Sequence, residues 1–180
     1  MKKLLGMFIA VLLLFSGNAV SASEAYAGYN YNSWSVSEPA PNAYEAVAAV
    51  SGLSAGTTEF LSPQDMVYQN GELYILDSGN ARVVVLDEKY RFKREYSRFS
   101  HESGELTLQN PRGIFVSAAG RMYIADTDNA RVLICDMDGR VVDILEKPDD
   151  EVFPDNIEFR PKRLLADKKG NTYVLCEDFY

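Results

Sequence analysis

The sequence predicts an all-β chain: a partial, open β-propeller built of four-stranded antiparallel blades. Three observations predict it. The first is an internal repeat, in which Gly71-Glu-Leu-Tyr-Ile-Leu-Asp77-Ser-Gly-Asn-Ala-Arg82 returns as Gly120-Arg-Met-Tyr-Ile-Ala-Asp126-Thr-Asp-Asn-Ala-Arg131, with a third copy running from Phe159-Arg-Pro161 to Tyr173. Tyr74, Tyr123 and Tyr173 are 49 and 50 residues apart, a period of blades or solenoid units. The second is that each copy divides into four short runs rich in β-branched and aromatic residues, with turn residues between them, and shows no helical period. The third is the count: two full copies and partial ones at either side fall short of the 4 to 8 blades that close a ring.

In the second copy the expected strands are Gly113 to Ser117, Met122 to Asp126, Arg131 to Asp136 and Val141 to Leu145. Asp138-Gly139 favours a tight hairpin between the last two. The blades are expected at about 61–97, 109–145 and, incomplete, 159–180, within a propeller portion spanning 44–180. In the first blade the outer strand is expected over Tyr90 to Ser97, with Tyr90, Phe92 and Tyr96 on one face. Residues 44–50 sit where the outermost strand of a closing blade falls, so the chain reads as an N-terminal portion of a longer reading frame.

Lys2 and Lys3 precede a 12-residue apolar run, Leu4 to Phe15, and Val20-Ser-Ala22 offers the small residues of a cleavage site. A spanning helix needs about 20 apolar residues, so residues 1–22 read as a signal peptide and the protein as secreted or extracytoplasmic, without membrane insertion after cleavage. Cleavage after Ala22 removes two basic residues and no acid, moving the net charge from −8 to −10. That balance excludes nucleic acid and anionic lipid as partners. Residues 23–43 form a Tyr/Ser/Pro-rich leader containing Tyr26, Tyr29, Tyr31 and Trp34, with no strand or helix period; it reads as an irregular segment, or as an aromatic sugar- or peptide-binding platform.

The repeated polar residues are Asp77, Asn80 and Arg82, then Asp126, Asn129 and Arg131. Each Asp ends a strand and each Arg starts the next. The intervening loop reverses within four residues, which Asp and Asn assist by bonding their own backbone and tolerating positive φ. The Asp–Arg pair across the hairpin is expected to contribute roughly 0.2–1 kcal/mol. Asp126, Asp128 and Asn129 are weaker candidates for a hard cation, because neither the glycine nor the distal glutamate of a calcium loop accompanies them. Cys135 and Cys176 form a disulfide or remain separate buried thiols. His101, the sole histidine, falls between copies as a loop residue, and one histidine does not build a zinc site.

Pro111, Gly113, Gly120, Tyr123, Asp126, Asn129 and Arg131 together resemble the NHL repeat. The first copy departs at Asp65, and the third at Arg163 and Cys176. The resemblance implies a six-bladed-type propeller that binds a macromolecular or small ligand on one rim. The leader Tyr31-Asn-Ser-Trp34 to Tyr44 resembles the start of exported NHL proteins of gut Firmicutes. The function expected is a binding or scaffold propeller for a protein or carbohydrate ligand, with no cofactor and no catalytic residue. The alternative is part of a metal-dependent propeller hydrolase or lyase.

Overall fold

The computed structural model describes residues 28–40, 47–149 and 156–177. The expected signal peptide, leader residues 23–27 and 41–43, and residues 44–46 lie outside them. Residues 1–48 and 49–180 form two units.

In the first unit, leader residues 28–40 are not irregular. Strands β1 (Gly28–Tyr31) and β2 (Ser37–Ala40) pair antiparallel with Tyr31 opposite Ser37. Asn32 sets the turn: its Oδ1 accepts from the Trp34 and Val36 amides, its Nδ2 donates to Glu38 at 2.8 Å, and Ser35 takes φ 59°. A side chain bonding its own backbone replaces the alternating pattern that normally announces a hairpin. Residues 47–50 carry no strand.

The second unit begins with a short helix, α1 (Gly52–Ala55), capped by Ser51, and then builds the blades. The first blade contains β3 (Pro63–Gln69), β4 (Glu72–Asp77), β5 (Arg82–Leu86) and β6 (Phe92–Tyr96), paired in sequence order. A bulge between Val85 and Leu86 shifts the register, so β6 starts at Phe92, while Tyr90 sits in the turn at φ 58°. A hairpin follows, β7 (Phe99–His101) and β8 (Gly104–Leu106), inside what reads in sequence as a plain connection. The second blade contains β9 (Gly113–Val116), β10 (Met122–Asp126), β11 (Arg131–Cys135) and β12 (Val141–Leu145). The third has β13 (Pro161–Ala166) and β14 (Thr172–Cys176).

The innermost strand β9 lies against β3 on one side and β13 on the other. Blades therefore stack face to face along a row of inner strands, and the sheets do not close: the fold is a partial, open β-propeller. Alternation along each strand gives every blade two apolar faces. We call the face toward the next blade trailing and the other leading. Tyr74, Leu76, Val83 and Val85 on the trailing face of blade one bury against Ile114, Met122, Ile124 and Leu133 on the leading face of blade two. Phe99 and Leu108, from the connection between them, complete that core. On the leading face of blade one, Val50, Ala55 and Phe60 cover Ile75, Val84 and Leu86.

Hydroxyls strap neighbouring blades together. Ser78 donates to the Pro111 carbonyl, and Thr127 Oγ1, at the same repeat position, donates to the Pro161 carbonyl at 2.6 Å. Gly113 marks the tightest approach: a Cβ there would stand 2.5 Å from the Lys162 carbonyl oxygen. Since the obstacle is backbone, Gly113→Ala is expected to part blades two and three at a cost of about 1–3 kcal/mol, read from urea unfolding. Among the described residues no helix is long and apolar enough to cross a membrane.

Candidate functional site

Three polar constellations carry the chemistry of the described chain, and two of them are turned inward. The first is the repeated Asp-Asn-Arg set. Asp77 is fully buried; its Oδ1 accepts the Leu61 amide at 2.7 Å and its Oδ2 accepts both Asn80 Nδ2 and Arg82 Nε at 2.8 Å. Asp126 repeats this with Gln109, Asn129 and Arg131. In both loops a single 3₁₀ turn follows the Asp, and Ala81 or Ala130 adopts the left-handed conformation before the Arg. The six residues thus tie the β4–β5 and β10–β11 loops to the chain entering each blade. Arg82 is held further by Thr58 Oγ1, the Thr58 carbonyl and Glu95; among the described residues Arg131 adds only the Thr107 carbonyl.

The cation candidates do not converge. Both oxygens of Asp126 are occupied as described, and Asp128 pairs with Arg160 at 3.2 Å. Among the described residues no group of three or more His, Cys, Asp or Glu side chains comes together as a metal site. Cys176 replaces the Asp in the third copy, and both Cys135 and Cys176 are free thiols. Burial pushes the Cys135 thiol up to about 12, which suits a small core residue rather than a nucleophile.

The second constellation lies at the other end of blade one. Glu72 accepts from Arg94, Lys93 and the Tyr74 hydroxyl; Arg94 Nε donates to Tyr96, whose hydroxyl reaches the Met137 carbonyl of blade two at 2.6 Å. The Arg94 hydrogen bond, with Lys93 and Tyr74 helping, holds the Glu72 carboxyl at about 2 against an ordinary 4.5. Burial, and then the bond to Glu72, raises Tyr74 to about 12. A depressed carboxyl pKa stabilises the fold above its unfolded value and loses that contribution as pH falls through the folded one. Glu72→Gln is therefore expected to be less stable than the parent at neutral pH, with the gap closing as pH drops from about 4.5 toward 2, measured by thermal unfolding across a pH series.

The third constellation faces solvent. Where the β7–β8 hairpin stands against blade two, Ser100 donates its amide to the Gly139 carbonyl at 3.1 Å. A cavity of about 750 Å³ opens there, lined by residues that include His101, Glu102, Arg121, Asp136 and Arg140. His101 belongs to strand β7 and not to a loop; its Nδ1 lies 2.8 Å from the Ser103 hydroxyl and 3.3 Å from the Ser103 amide. Asp136 Oδ1 accepts the Asp138 and Arg140 amides, as Asp87 Oδ1 accepts those of Lys89 and Arg91. The two turns differ in one respect. Arg91 also bonds its Asp through Nε at 2.9 Å, whereas the Arg140 and Arg121 guanidinium groups make no hydrogen bond or ion pair among the described residues. Sequence reading missed this cavity, although an Arg four residues after Asp87 and again after Asp136 was visible as a repeat.

Residues 60–86 match the profile of the NHL repeat. The matched segment is β3 to β5 with the Asp77-Asn80-Arg82 loop, so this family's signature coincides with the inward-turned set. No curated protein sequence matches the chain. By structure it is similar to Kuenenia stuttgartiensis hydrazine synthase, at 13% identity and TM-score 0.50, over 75% of this chain and 33% of that one. It is also similar to virginiamycin B lyase from Staphylococcus aureus, at 12% identity and TM-score 0.42, over 86% of this chain and 50% of that one. At these identities the likeness concerns the fold alone, and this chain spans about a third to a half of those two proteins.

Proposed function

We propose that this protein is an extracytoplasmic binding and scaffold propeller, without catalysis of its own, which takes the anionic group of a carbohydrate or protein ligand in the cavity beside the β7–β8 hairpin. One observation carries the reading. Arg91 and Arg140 occupy equivalent repeat positions, yet Arg91 is bound to Asp87 while Arg140 faces the cavity beside Arg121 with its donors unused. Guanidinium groups suit carboxylates and similar anions, since their paired donors match two acceptor oxygens. The other charged residues of the repeat are consumed by the fold, which leaves Asp77, Asp126, Arg82 and Arg131 no chemistry to offer a substrate. Export is supported by Lys2, Lys3, the apolar run Leu4 to Phe15 and the small residues before Ser23.

Titration calorimetry of the full chain with a galacturonate oligosaccharide, an acidic peptide and their neutral counterparts tests the proposal. Binding of an anionic probe is expected, weakened about tenfold or more by Arg140→Ala, as the loss of one charged hydrogen bond implies, and unchanged by Arg91→Ala. Equal affinity for neutral probes, or indifference to Arg140→Ala, overturns it. So does a stoichiometric metal accompanied by ester or lactone turnover, the behaviour of a propeller hydrolase.

A further inference from the structure

Building on the anion site proposed above, we infer that its ligand is the C-terminal end of an extended peptide, which pairs with the outer edge of β12 and sets its terminal carboxylate on Arg140 and Arg121. Strand β12 is the outermost of blade two, so the backbone groups on its outer side have no strand partner within the blade. Outer strands commonly guard that edge with charged side chains, lysine above all. Strand β6 of blade one does so, with Lys93, Arg94 and Glu95 along it. Strand β12 reads Val-Val-Asp-Ile-Leu, with one charge and neither lysine nor proline. One outer edge is protected, and its repeat counterpart is left open to a partner strand.

The chain itself shows that this edge accepts a strand. Ser100 of β7 comes alongside as a parallel bridge to Arg140, its amide donating to the Gly139 carbonyl at 3.1 Å. Pairing stops there, because Glu102 and Ser103 turn β7 back into β8. Where the two strands part the cavity opens, walled by Ser100 and His101 on one side and by Val141 and the half-exposed Val142 on the other. Beyond Arg140, among the described residues, no strand pairs with the outer edge of β12. Since β7 occupies the head of that edge, a strand laid along Val141 to Leu145 cannot run on past the cavity and has to end in it. The charge at the head decides which terminus ends there. Arg140 and Arg121 match a carboxylate with paired donors, so the peptide runs antiparallel to β12 with its last residue at the head. Glu102 and Asp136 line the same cavity, so a single carboxylate is better received than a polyanionic chain. Main-chain pairing supplies affinity, and capture of the terminus sets the register.

Fluorescence anisotropy of the full chain with hexapeptides of alternating valine and threonine, dye-labelled at the N-terminus, tests the assignment. The free-acid peptide is expected to bind and its C-terminal amide to bind about tenfold or more weakly. Arg140→Ala is expected to lower affinity for the acid to that of the amide and to leave the amide unchanged. Methylating the backbone nitrogens of every second residue is expected to weaken binding about tenfold or more in one register and to spare it in the other, since alternate amides face opposite edges of a strand. An acid form that does not bind, acid and amide forms that bind alike, two methylated forms that both bind as the parent does, or preference for a peptide with a free amino terminus and an amidated C-terminus overturns the inference. If a galacturonate oligosaccharide then still binds through Arg140, the anion site stands with a different ligand; if no anionic probe responds to Arg140→Ala, the site falls as well.

Discussion

Asp77→Ala is expected to lower the unfolding free energy by about 3–5 kcal/mol, because it leaves the buried Arg82 without its fully buried counter-charge, with only the partly exposed Glu95 still paired to it. The Asp77 carboxylate is fully buried and Arg82 is 5% exposed, so water does not replace the lost partner. The Leu61 amide and Asn80 Nδ2 lose their acceptor in the same step, each a further unsatisfied donor. Asp126→Ala removes an equivalent carboxylate, but the Arg131 side chain is 18% exposed and can turn toward solvent, so the loss there is expected to be smaller. Urea unfolding of the two variants side by side checks the order. Equal losses would show that burial of the arginine is not what sets the magnitude.

Phe99→Ala is expected to lower stability by a comparable amount, about 3–5 kcal/mol for a fully buried aromatic side chain. Phe99 is completely enclosed, stacks on Tyr96 with ring centroids 6.3 Å apart, and is the anchor by which the β7–β8 hairpin grips the core between blades one and two. Apart from Leu106, which packs partly buried against the same core, the hairpin is held by exposed contacts such as the Arg98–Glu105 ion pair, whose two side chains are 71% and 61% exposed. Its turn, Glu102-Ser103 with Gly104 at φ 120°, should then become cleavable by protease well before the blades unfold. Limited proteolysis followed by mass mapping, together with urea unfolding, reads both effects. The same variant is expected to lose the cavity that the hairpin walls, and with it the binding of an anionic probe.

Much of this architecture was legible in the residues. The strands of blade two fall within a residue of their expected ends, because Gly113, Gly120 and the Asp126-to-Arg131 loop mark where direction must change. The Asp–Arg pairing was legible too, since the residues bracket a four-residue reversal; its weight was not. A cross-strand pair on a solvated surface contributes a fraction of a kcal/mol. Here the chain entering the blade, from Thr58 to Leu61, folds over the pair and excludes water. The β7–β8 hairpin escaped notice because its strands are three residues long, too short to display alternation. The β1–β2 hairpin escaped because Asn32 organises it through side-chain bonds to Trp34 and Val36 instead of through a Gly-containing turn.

Periodicity alone established blades, their four-strand make-up and the polar residues that close their loops, because those features depend on neighbours within about fifty positions along the chain. Which groups are left over for function depends on contacts the repeat does not encode. Arg91 and Arg140 are equivalent in sequence, but only the packing of the Phe99 hairpin against blade two places Arg140 beside a cavity. Tyr74, Tyr123 and Tyr173 are likewise one residue written three times. Two are interior and one is surface, since burial belongs to the sheet that lies opposite and not to the side chain that awaits it.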